Sequence, residues 1–240
     1  MTEEHDPART ARVLWRDGPK PATRTRLSAD TIVASAIAVA DAEGLAGVSM
    51  QRIAEVLGYT AMGLYRHVAN KATLVAAMTD TAYGAAPAPR RADGWRAEIE
   101  SWATELWRVY QAHPWLVEVP TRSAPIGPNE LAWFEALARP LAELDAAGLD
   151  VIGVATFLSS AVRDLARIAL ELDADQTAHA EVLAEHLDGK RFPTLSRLFG
   201  HAGPADDTAD LGPALQHGLH LLLDGIELRL PTGKEPENHD

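Results

Sequence analysis

Apolar residues recur every three or four positions along almost the whole chain, and this spacing constrains the possible fold more than any other feature. One such stripe runs through Trp95, Ile99, Trp102, Leu106 and Val109, which a helix places on one face. The sequence shows no sustained alternation of apolar and polar residues, which is the pattern of a half-buried strand. It therefore predicts an all-α protein.

Polar cap residues and glycines divide the first third of the chain into short helices. Each predicted helix begins after a residue whose side chain can accept a hydrogen bond from a free first-turn amide: Ser28, Ser49, Thr60 and Asn70. Gly44 ends the first helix, and Gly58 ends the second, where a left-handed residue is expected. The second helix, with Val56 and Leu57 directed inward, and the third, 60–67, form a helix-turn-helix.

Longer helices are predicted in the rest of the chain. Proline and glycine separate them at His113-Pro114-Trp115, at Gly127-Pro128-Asn129 and at Gly148. Leu131 and Phe134 are expected to face inward. The predicted spans begin near residues 93 and 127 and continue as 150–172, a short helix at 177–187, and 212–230.

Composition narrows the class of protein. The 240 residues are 47% apolar, which is enough for a substantial core, and they include no cysteine, which excludes disulfides, thiolate nucleophiles and cysteine-bound metals. The N-terminus lacks the apolar region of a signal peptide, and no run of about 18 apolar residues is present. A soluble cytoplasmic protein is therefore expected.

The net charge of −12 is unevenly distributed. Residues 1–83 carry nine Lys/Arg and nine Asp/Glu, whereas residues 84–240 carry 13 and 25. Six of the nine cations lie within residues 9–26, where the only acidic residue is Asp17. A locally basic segment can bind a polyanion although the whole chain is acidic, because the phosphate field extends over a Debye length of about 8–10 Å. A solvated tail is the alternative interpretation of this segment.

Four polar groups follow the start of the third helix. The small or uncharged residues 60–63 precede Tyr65, Arg66, His67 and Lys71. In a helix-turn-helix the second helix enters the major groove, and its first residues meet base edges. Small side chains let the backbone approach the duplex, while hydroxyls and cations reach phosphates on the flanks. The pattern therefore predicts binding to double-stranded DNA.

Two other functions are compatible with the composition. One is a helical enzyme or metal-binding protein that uses the His-, Asp- and Glu-rich C-terminal half, although no H-E-x-x-H, G-x-S-x-G, P-loop or G-x-G-x-x-G motif is present. His217 and His220 have the i, i+3 spacing of a weak metal site. The other is a helical protein-interaction module, against which the basic segment and the L-Y-R-H-V-A-N-K string argue.

Residues 28–83 resemble the DNA-binding domain of the tetracycline-repressor (TetR) family. The string L-Y-R-H-V-A-N-K at 64–71 carries the resemblance, and H-P-W-L at 113–116 and G-P-N-E-L-A-W-F-E-A-L at 127–137 extend it to one branch of the family. It implies a regulator that is not an enzyme: a homodimer, usually a repressor, that binds a palindromic operator and is released by a small molecule.

The resemblance also implies the domain organisation. A flexible basic arm (1–27) precedes a three-helix helix-turn-helix domain (28–83), a larger helical ligand-binding and dimerisation domain (84–230) and a disordered tail (231–240). Helices 150–172 and 212–230 would form the dimer interface, since both are apolar over more than one stripe.

Roles in DNA binding transfer residue by residue. Tyr65, His67 and Lys71 match phosphate-contacting positions, and Leu64 and Val68 match the buried side of the recognition helix. The remaining matches face bases or backbone: Gln51, Arg52, Thr60, Ala61, Met62 and Gly63. Arg24 and Arg26 precede the matched region and are expected to reach DNA because they are the cations of the arm nearest to the first helix.

A ligand site is expected among the helices that start near 71, 93, 127 and 150. The candidate lining is Met78, Trp102, Leu106, Trp133, Phe134 and Phe157, with His113, Arg122 and Arg163 to orient a polar group. In tetracycline-binding members, polar contacts stand at the positions of Trp102 and Leu106, and a magnesium-binding histidine stands near Val119. We therefore expect an aromatic or lipophilic ligand, with no metal and no cofactor.

Overall fold

The computed structural model describes residues 27–90, 93–120, 127–144, 146, 148–199 and 212–231, together with Ala11, Leu14 and Trp15; for residues 172–185 and 199 it describes the backbone only. Its α-helices, in chain order, are α1 (Ala29–Gly47), α2 (Met50–Leu57), α3 (Ala61–Leu64), α4 (Lys71–Tyr83), α5 (Gly94–Ala112), α6 (Pro128–Ala142), α7 (Val151–His186), α8 (Pro193–Phe199) and α9 (Pro213–Glu227). A 3-10 helix, η1 (Pro114–Glu118), follows α5. The predicted all-α fold is confirmed.

The four predicted N-caps make the expected hydrogen bonds. The side chains of Ser28 and Ser49 each accept from the amide three residues later at 3.1 Å, that of Thr60 accepts at 3.2 Å and that of Asn70 at 2.8 Å. Each such cap contributes about 1 kcal/mol to helix stability. Gly58 has φ +73°, the left-handed conformation expected after α2. The starts of the first four helices therefore follow from local sequence chemistry. Two predicted ends differ, since α1 continues to Gly47 past a break at Gly44 (φ +74°) and α3 ends at Leu64 instead of at 67.

The N-terminal helices share a small core. α1 packs on α2 and α4, and α2 packs on α3. The side chains that meet there are fully or almost fully buried: Ile32, Ala36, Val48, Ile53, Leu64 and Val68. Because α3 is only four residues long, it is anchored in this core by Leu64 and Val68, which lie one turn apart and are both fully buried.

The C-terminal helices pack as a larger group around α5. Helices α5, α6 and α7 contact one another, and α9 packs on α7. Helix α5 brings six buried side chains to this core, and buried leucines on α6, α7 and α9 pack with them: Leu137, Leu141, Leu158, Leu219 and Leu223. The segment η1 lies between the two groups, since it contacts α1 as well as α5 and α7.

Some sequence-based expectations differ from the structure. Helix α7 continues to His186 instead of ending at 172, because no glycine or proline interrupts residues 172–186, and α8 was not predicted. Val56 is 50% exposed and Leu131 is 38% exposed, although both were expected to face inward. Val56 lies roughly a third of a turn from the buried face of α2, and Leu131 precedes Trp133 by two residues and so faces the opposite side of α6.

The predicted arm and tail lie mostly outside the described residues. Within the arm, Trp15 N donates to the carbonyl oxygen of Ala11 at 2.8 Å, and Leu14 packs against the core. Arg24 and Arg26 are not among the described residues, and neither is Arg122. In the parts of the chain that are described, no helix is both long enough and apolar enough to cross a membrane.

Candidate DNA-binding surface and ligand site

Helix α3 presents a set of side chains to solvent. Its buried side holds Leu64, which is fully buried, while Met62 on the opposite side is 72% exposed. Tyr65 is 47% exposed, and the other polar groups of this face are exposed as well: Gln51, Thr60, Arg66, His67 and Lys71. We call the seven exposed residues, together with the half-buried Ala61 and Gly63, the reading surface: Gln51, Thr60, Ala61, Met62, Gly63, Tyr65, Arg66, His67 and Lys71. A 72% exposed methionine and an adjoining row of cations have no role in the packing of the chain itself.

Gly63 lies in the middle of the reading surface. A Cβ atom at this position would meet only Thr60 Oγ1, at the ordinary contact distance of 3.5 Å. The packing of the protein therefore does not require glycine here, and α3 offers a smooth backbone that a partner could approach closely.

Arg52 is held by a neighbouring carboxylate. Its Nη2 donates to Glu43 Oε1 at 2.6 Å, and its Nε donates to the same oxygen at 3.1 Å. This hydrogen bonding lowers the pKa of Glu43 and raises the pKa of Arg52. The structure thus places Arg52 beside the reading surface but in an ion pair with α1, which the sequence interpretation had not foreseen.

Aromatic side chains gather where α4, α5 and α6 meet. The Trp102 and Trp133 rings lie 6.3 Å apart at a steep angle, and Tyr83 lies 6.2 Å from Trp133 and 6.4 Å from Tyr110. We call these four residues the aromatic cluster. The sequence pattern indicated its two tryptophans but not its two tyrosines.

Hydrogen bonds inside the aromatic cluster determine what it can offer a ligand. Trp102 Nε1 donates to the Trp133 carbonyl oxygen at 2.9 Å, and Trp133 Nε1 donates to the Tyr83 carbonyl oxygen at 3.1 Å. Both indole N–H groups are therefore satisfied, which leaves the ring faces. The hydroxyls of Tyr83 and Tyr110 lie 3.1 Å apart. Burial raises the pKa of both phenols, so both stay protonated at neutral pH, and the bond between them uses only one of their two hydroxyl protons.

The other predicted lining residues are divided. Met78 and Leu106 are buried, and Phe134 is half-buried against the same core. Phe157 does not join them, because it is 61% exposed and lies off the buried stripe of α7, which is formed by Ala155, Leu158, Val162 and Ala166. Its assignment to the ligand site is therefore corrected.

The two predicted orienting groups that the structure describes have protein partners. Arg163 Nη2 donates to the Val117 carbonyl oxygen at 3.0 Å and also to that of Val119, so α7 holds the end of η1. His113 Nδ1 lies 2.8 Å from Asp41 Oδ1, and Trp115 Nε1 donates to the same oxygen at 2.7 Å. Both residues thus fix the H-P-W-L segment, and His113 links it to α1.

A second carboxylate, more buried than that of Asp41, joins the two groups of helices. Asp80 on α4 is only 5% exposed. Its Oδ1 accepts from the backbone amides of Asn129 at 2.9 Å and Glu130 at 3.1 Å, in the first turn of α6. Asn129 Nδ2 donates in return to the Asp80 carbonyl oxygen at 2.9 Å. Burial raises the pKa of Asp80, and the two amides oppose this shift. Asp80 therefore caps a helix that lies about 50 residues further along the chain.

Asp80 and Tyr110 were not predicted, for identifiable reasons. Asp80 is a lone charge in the apolar segment of α4. Gly127, which precedes α6, has no side chain that could cap this helix. A buried charge and an uncapped helix together would have indicated that the two pair with each other. On α5 the buried face is two rows wide and includes Trp107 and Tyr110, whereas the predicted stripe followed a single row to Val109.

Comparison with protein families assigns the chain. A family model described as "Bacterial regulatory proteins, tetR family" matches residues 32–78, and one described as "Tetracyclin repressor-like, C-terminal domain" matches residues 86–230. The chain belongs to the tetR family. As a member of this family it is a ligand-responsive, DNA-binding transcriptional regulator and not an enzyme.

Similar proteins support the assignment along most of the chain. The HTH-type transcriptional repressor DrrR1 of Streptomyces coeruleorubidus is 32% identical over 244 residues, which cover 93% of this chain and 86% of DrrR1. The tetracycline repressor class E of Escherichia coli is 24% identical, over 90% of this chain and 98% of its own length. The crystal structure of Streptomyces coelicolor ActR with (S)-DNPA superposes with a TM-score of 0.69 and 26% identity, over 84% of this chain and 98% of ActR.

The raised pKa of Asp80 predicts a pH dependence that Asp80→Asn isolates. In the folded protein this carboxyl group binds a proton more readily than at its unperturbed pKa of 3.8, because burial penalises the ionised form. Relative to Asp80→Asn, the wild type should therefore be most stable below that pKa and should lose stability as pH rises through the higher folded-state pKa. Urea unfolding of both proteins between about pH 3.5 and about pH 7 measures the difference. A difference in unfolding free energy that stays constant with pH, or that increasingly favours the wild type as pH rises, contradicts a raised pKa of Asp80.

Proposed function

We propose that this regulator is a repressor that acts in the cytoplasm, binds a palindromic operator as a homodimer and is released by an aromatic or lipophilic small molecule. The observation that carries the proposal is the reading surface: α3 is anchored by the fully buried Leu64 and Val68 and directs Met62 and a row of polar and cationic groups outward. The similarity to a transcriptional repressor over 93% of the chain supports repression as the mode of action.

The reading surface divides by chemistry into two parts. Thr60, Ala61, Met62 and Gly63 stand at the start of the helix, where a recognition helix meets base edges, and Met62 can pack on a thymine methyl group. Tyr65, His67 and Lys71 lie at its end and on the first turn of α4, where hydroxyls and cations reach phosphates. Arg66 is exposed as well and, as a cation, belongs with the phosphate-contacting part.

Two further contributions flank this surface. Gln51 is exposed at the start of α2 and can reach a base edge or the backbone, while Arg52 must exchange Glu43 for a phosphate. The cationic segment 9–26 precedes α1, and Arg24 and Arg26 are nearest to it in sequence. A cationic strand in this position can enter the adjacent minor groove, where narrow A·T tracts concentrate negative potential.

The exposed apolar side chains of α7 and α9 support the location of the dimer interface. On α7 they are Ile152, Phe157 and Ile168, with exposures of 61%, 61% and 41%. On α9, Leu221 is 60% exposed. Apolar side chains this exposed on two helices that pack on each other suit burial against a second copy.

The aromatic cluster supports the class of ligand. Its indole N–H groups are already bonded, so Trp102 and Trp133 offer ring faces, while the tyrosine pair offers one hydroxyl donor. A flat aromatic compound with an acceptor oxygen matches this combination. The ActR structure, determined with (S)-DNPA, provides a first probe.

Substitutions on the reading surface should separate affinity from specificity. Lys71→Ala and Tyr65→Phe should weaken binding to all duplexes by similar factors, and Lys71→Ala should reduce the slope of log affinity against log salt by about 0.9 for each phosphate that the lysine neutralises. Met62→Ala should leave the slope unchanged and alter which duplexes are preferred. The change in discrimination should not exceed the cost of one mismatched base pair, about 1–3 kcal/mol. Fluorescence anisotropy on duplexes selected by the wild type from a random library, at two salt concentrations, measures both quantities.

Lys190→Ala is the matched control, because it removes one exposed cation between α7 and α8, far along the chain from the reading surface. Deletion of residues 1–22 tests the arm in the same titrations. Altered base preference without altered salt dependence in Lys71→Ala would disprove its phosphate role, and an unchanged slope after the deletion would show that the removed part of the arm is only a solvated tail.

Ligand binding should depend on the aromatic cluster and not on Phe157. Saturating (S)-DNPA should stabilise the wild type by RT ln(1 + [L]/Kd), about 2.7 kcal/mol at a hundredfold excess over Kd. Trp102→Leu should weaken binding about two- to tenfold, since an aromatic contact contributes about 0.5–1.5 kcal/mol. Phe157→Leu, on the exposed face of α7, should bind as the wild type does. Thermal shift and fluorescence titration provide the readouts, and an equal reduction of affinity in both variants would rule out this site.

A single charge should disrupt the proposed interface. Leu221→Glu should turn the dimer into a monomer of 25.8 kDa, because a carboxylate in place of a leucine that the proposed interface covers would be left unpaired between the subunits. Gln216→Glu, an exposed position on the same helix, should leave the dimer intact. Light scattering at micromolar concentration distinguishes the two results, and a dimeric Leu221→Glu would place the interface elsewhere.

A further inference from the structure

The first turn of α6 is built around a side chain from another part of the protein. Gly127 and Pro128 begin this helix, and neither offers a side-chain acceptor. The Asp80 carboxylate takes that place, with two backbone amides of α6 on its Oδ1 at 2.9 and 3.1 Å. Because an N-cap residue normally lies in the same segment as its helix, this arrangement ties α4 to α6 by the interaction that completes α6 itself.

The fit around this carboxylate leaves no freedom on the α6 side. A Cβ on Gly127 would overlap the carboxylate and lie 2.7 Å from Asp80 Cβ. Gly127 has φ −84°, an ordinary value for any residue, so glycine is needed here for space and not for its backbone conformation. The Gly127 amide donates to Glu130 Oε2 at 3.2 Å, which fixes the entry to the helix from its own side.

Asp80 also occupies a particular place in the chain. Helix α4 begins at Lys71, which belongs to the reading surface, and ends at Tyr83, which belongs to the aromatic cluster. Asp80 is one turn before that end. A displacement of α6 must therefore either break the cap or carry α4 with it.

We propose that Asp80 and Gly127 form a joint that makes α4 and the first turn of α6 move as one body, so that Asp80 is the positioning residue through which the ligand-binding domain sets the reading surface. Asp41 provides the contrasting contact. It bonds His113 and Trp115, but its side chain is 34% exposed, so water competes for it. Asp80 is the permanent joint and Asp41 the contact that can yield.

The chain contains a matched pair for the test. Asp150 Oδ1 accepts from the Gly153 amide at 2.9 Å and caps α7 locally, and a Cβ on Gly153 would lie 2.8 Å from Asp150 Cγ. Asp150→Ala and Gly153→Ala therefore remove a cap, or crowd it, at the start of a helix without touching the joint. The corresponding test variants are Asp80→Ala and Gly127→Ala, and Asp80→Asn restores an acceptor oxygen.

Native-state hydrogen exchange of the full-length protein at low urea tests the joint itself. In the wild type, peptides from α4 and from the first turn of α6 should open with the same urea dependence, as one cooperative unit. In Asp80→Ala and Gly127→Ala, α4 and the first turn of α6 should open with different urea dependences. In Asp150→Ala and Gly153→Ala they should still open together, and Asp80→Asn should largely restore the common opening. Separate opening in the wild type, or equal separation in the control pair, overturns the proposal.

A second arm uses DNA, since the transmission to the reading surface rests on the proposed operator binding. A duplex selected from a random library by the wild type should slow exchange in the first turn of α6 by about fivefold or more, the low end of typical coupling. In Asp80→Ala the exchange rates of the first turn of α6 with and without the duplex should be about equal, while the duplex still slows exchange in α4. Slowing that persists in Asp80→Ala refutes transmission through the joint. Failure to select any duplex refutes the proposed function instead, and the urea arm still decides the joint.

Discussion

The first turn of α6 has backbone amides that need a hydrogen-bond acceptor, and neither Gly127 nor Pro128 has a side chain that can supply one. The need for an acceptor from elsewhere shapes the contact between the two groups of helices. The acceptor comes from Asp80, which is buried to 5% exposure and therefore must be fully hydrogen-bonded. Gly127 must be glycine for the carboxylate to fit. The same contact holds the last turn of α4 against α6, and α4 carries a phosphate-contacting candidate at one end and an aromatic cluster residue at the other. The proposed DNA and ligand functions thus share one helix.

The second contact, through Asp41, acts on the other side of the helix-turn-helix. It bonds His113 and Trp115 in the segment that Arg163 holds from α7. A path of direct hydrogen bonds therefore runs from α7, through η1, to α1. Together the two carboxylates tie α1 and α4 of the N-terminal group to the C-terminal helices. The net charge of −12 does not oppose DNA binding, because the acidic excess lies in residues 84–240 and the reading surface is locally cationic.

Local chemistry made the N-terminal helices predictable. Ser28, Ser49, Thr60 and Asn70 each act within three residues of their own position, so a cap can be identified without knowledge of the fold. The all-α class followed from periodicity, and the family from the L-Y-R-H-V-A-N-K string. The contacts of Asp80 and Asp41 join residues about 50 and about 70 positions apart, so periodicity and spacing could not pair them. Phe157 was misplaced for a similar reason, since the face that a broadly apolar helix turns to the core depends on its neighbours.

A distance measurement between the two subunits tests the central claim, that the joint at Asp80 holds the reading surface in place. The chain has no cysteine, so Glu55→Cys, at an exposed position of α2, gives one spin label per subunit and a single distance in the dimer. Double electron–electron resonance should give one narrow distance distribution for this protein. In an Asp80→Ala background the distribution should broaden or shift, while in an Asp150→Ala background it should stay narrow and unmoved. Identical distributions in all three proteins would contradict the account.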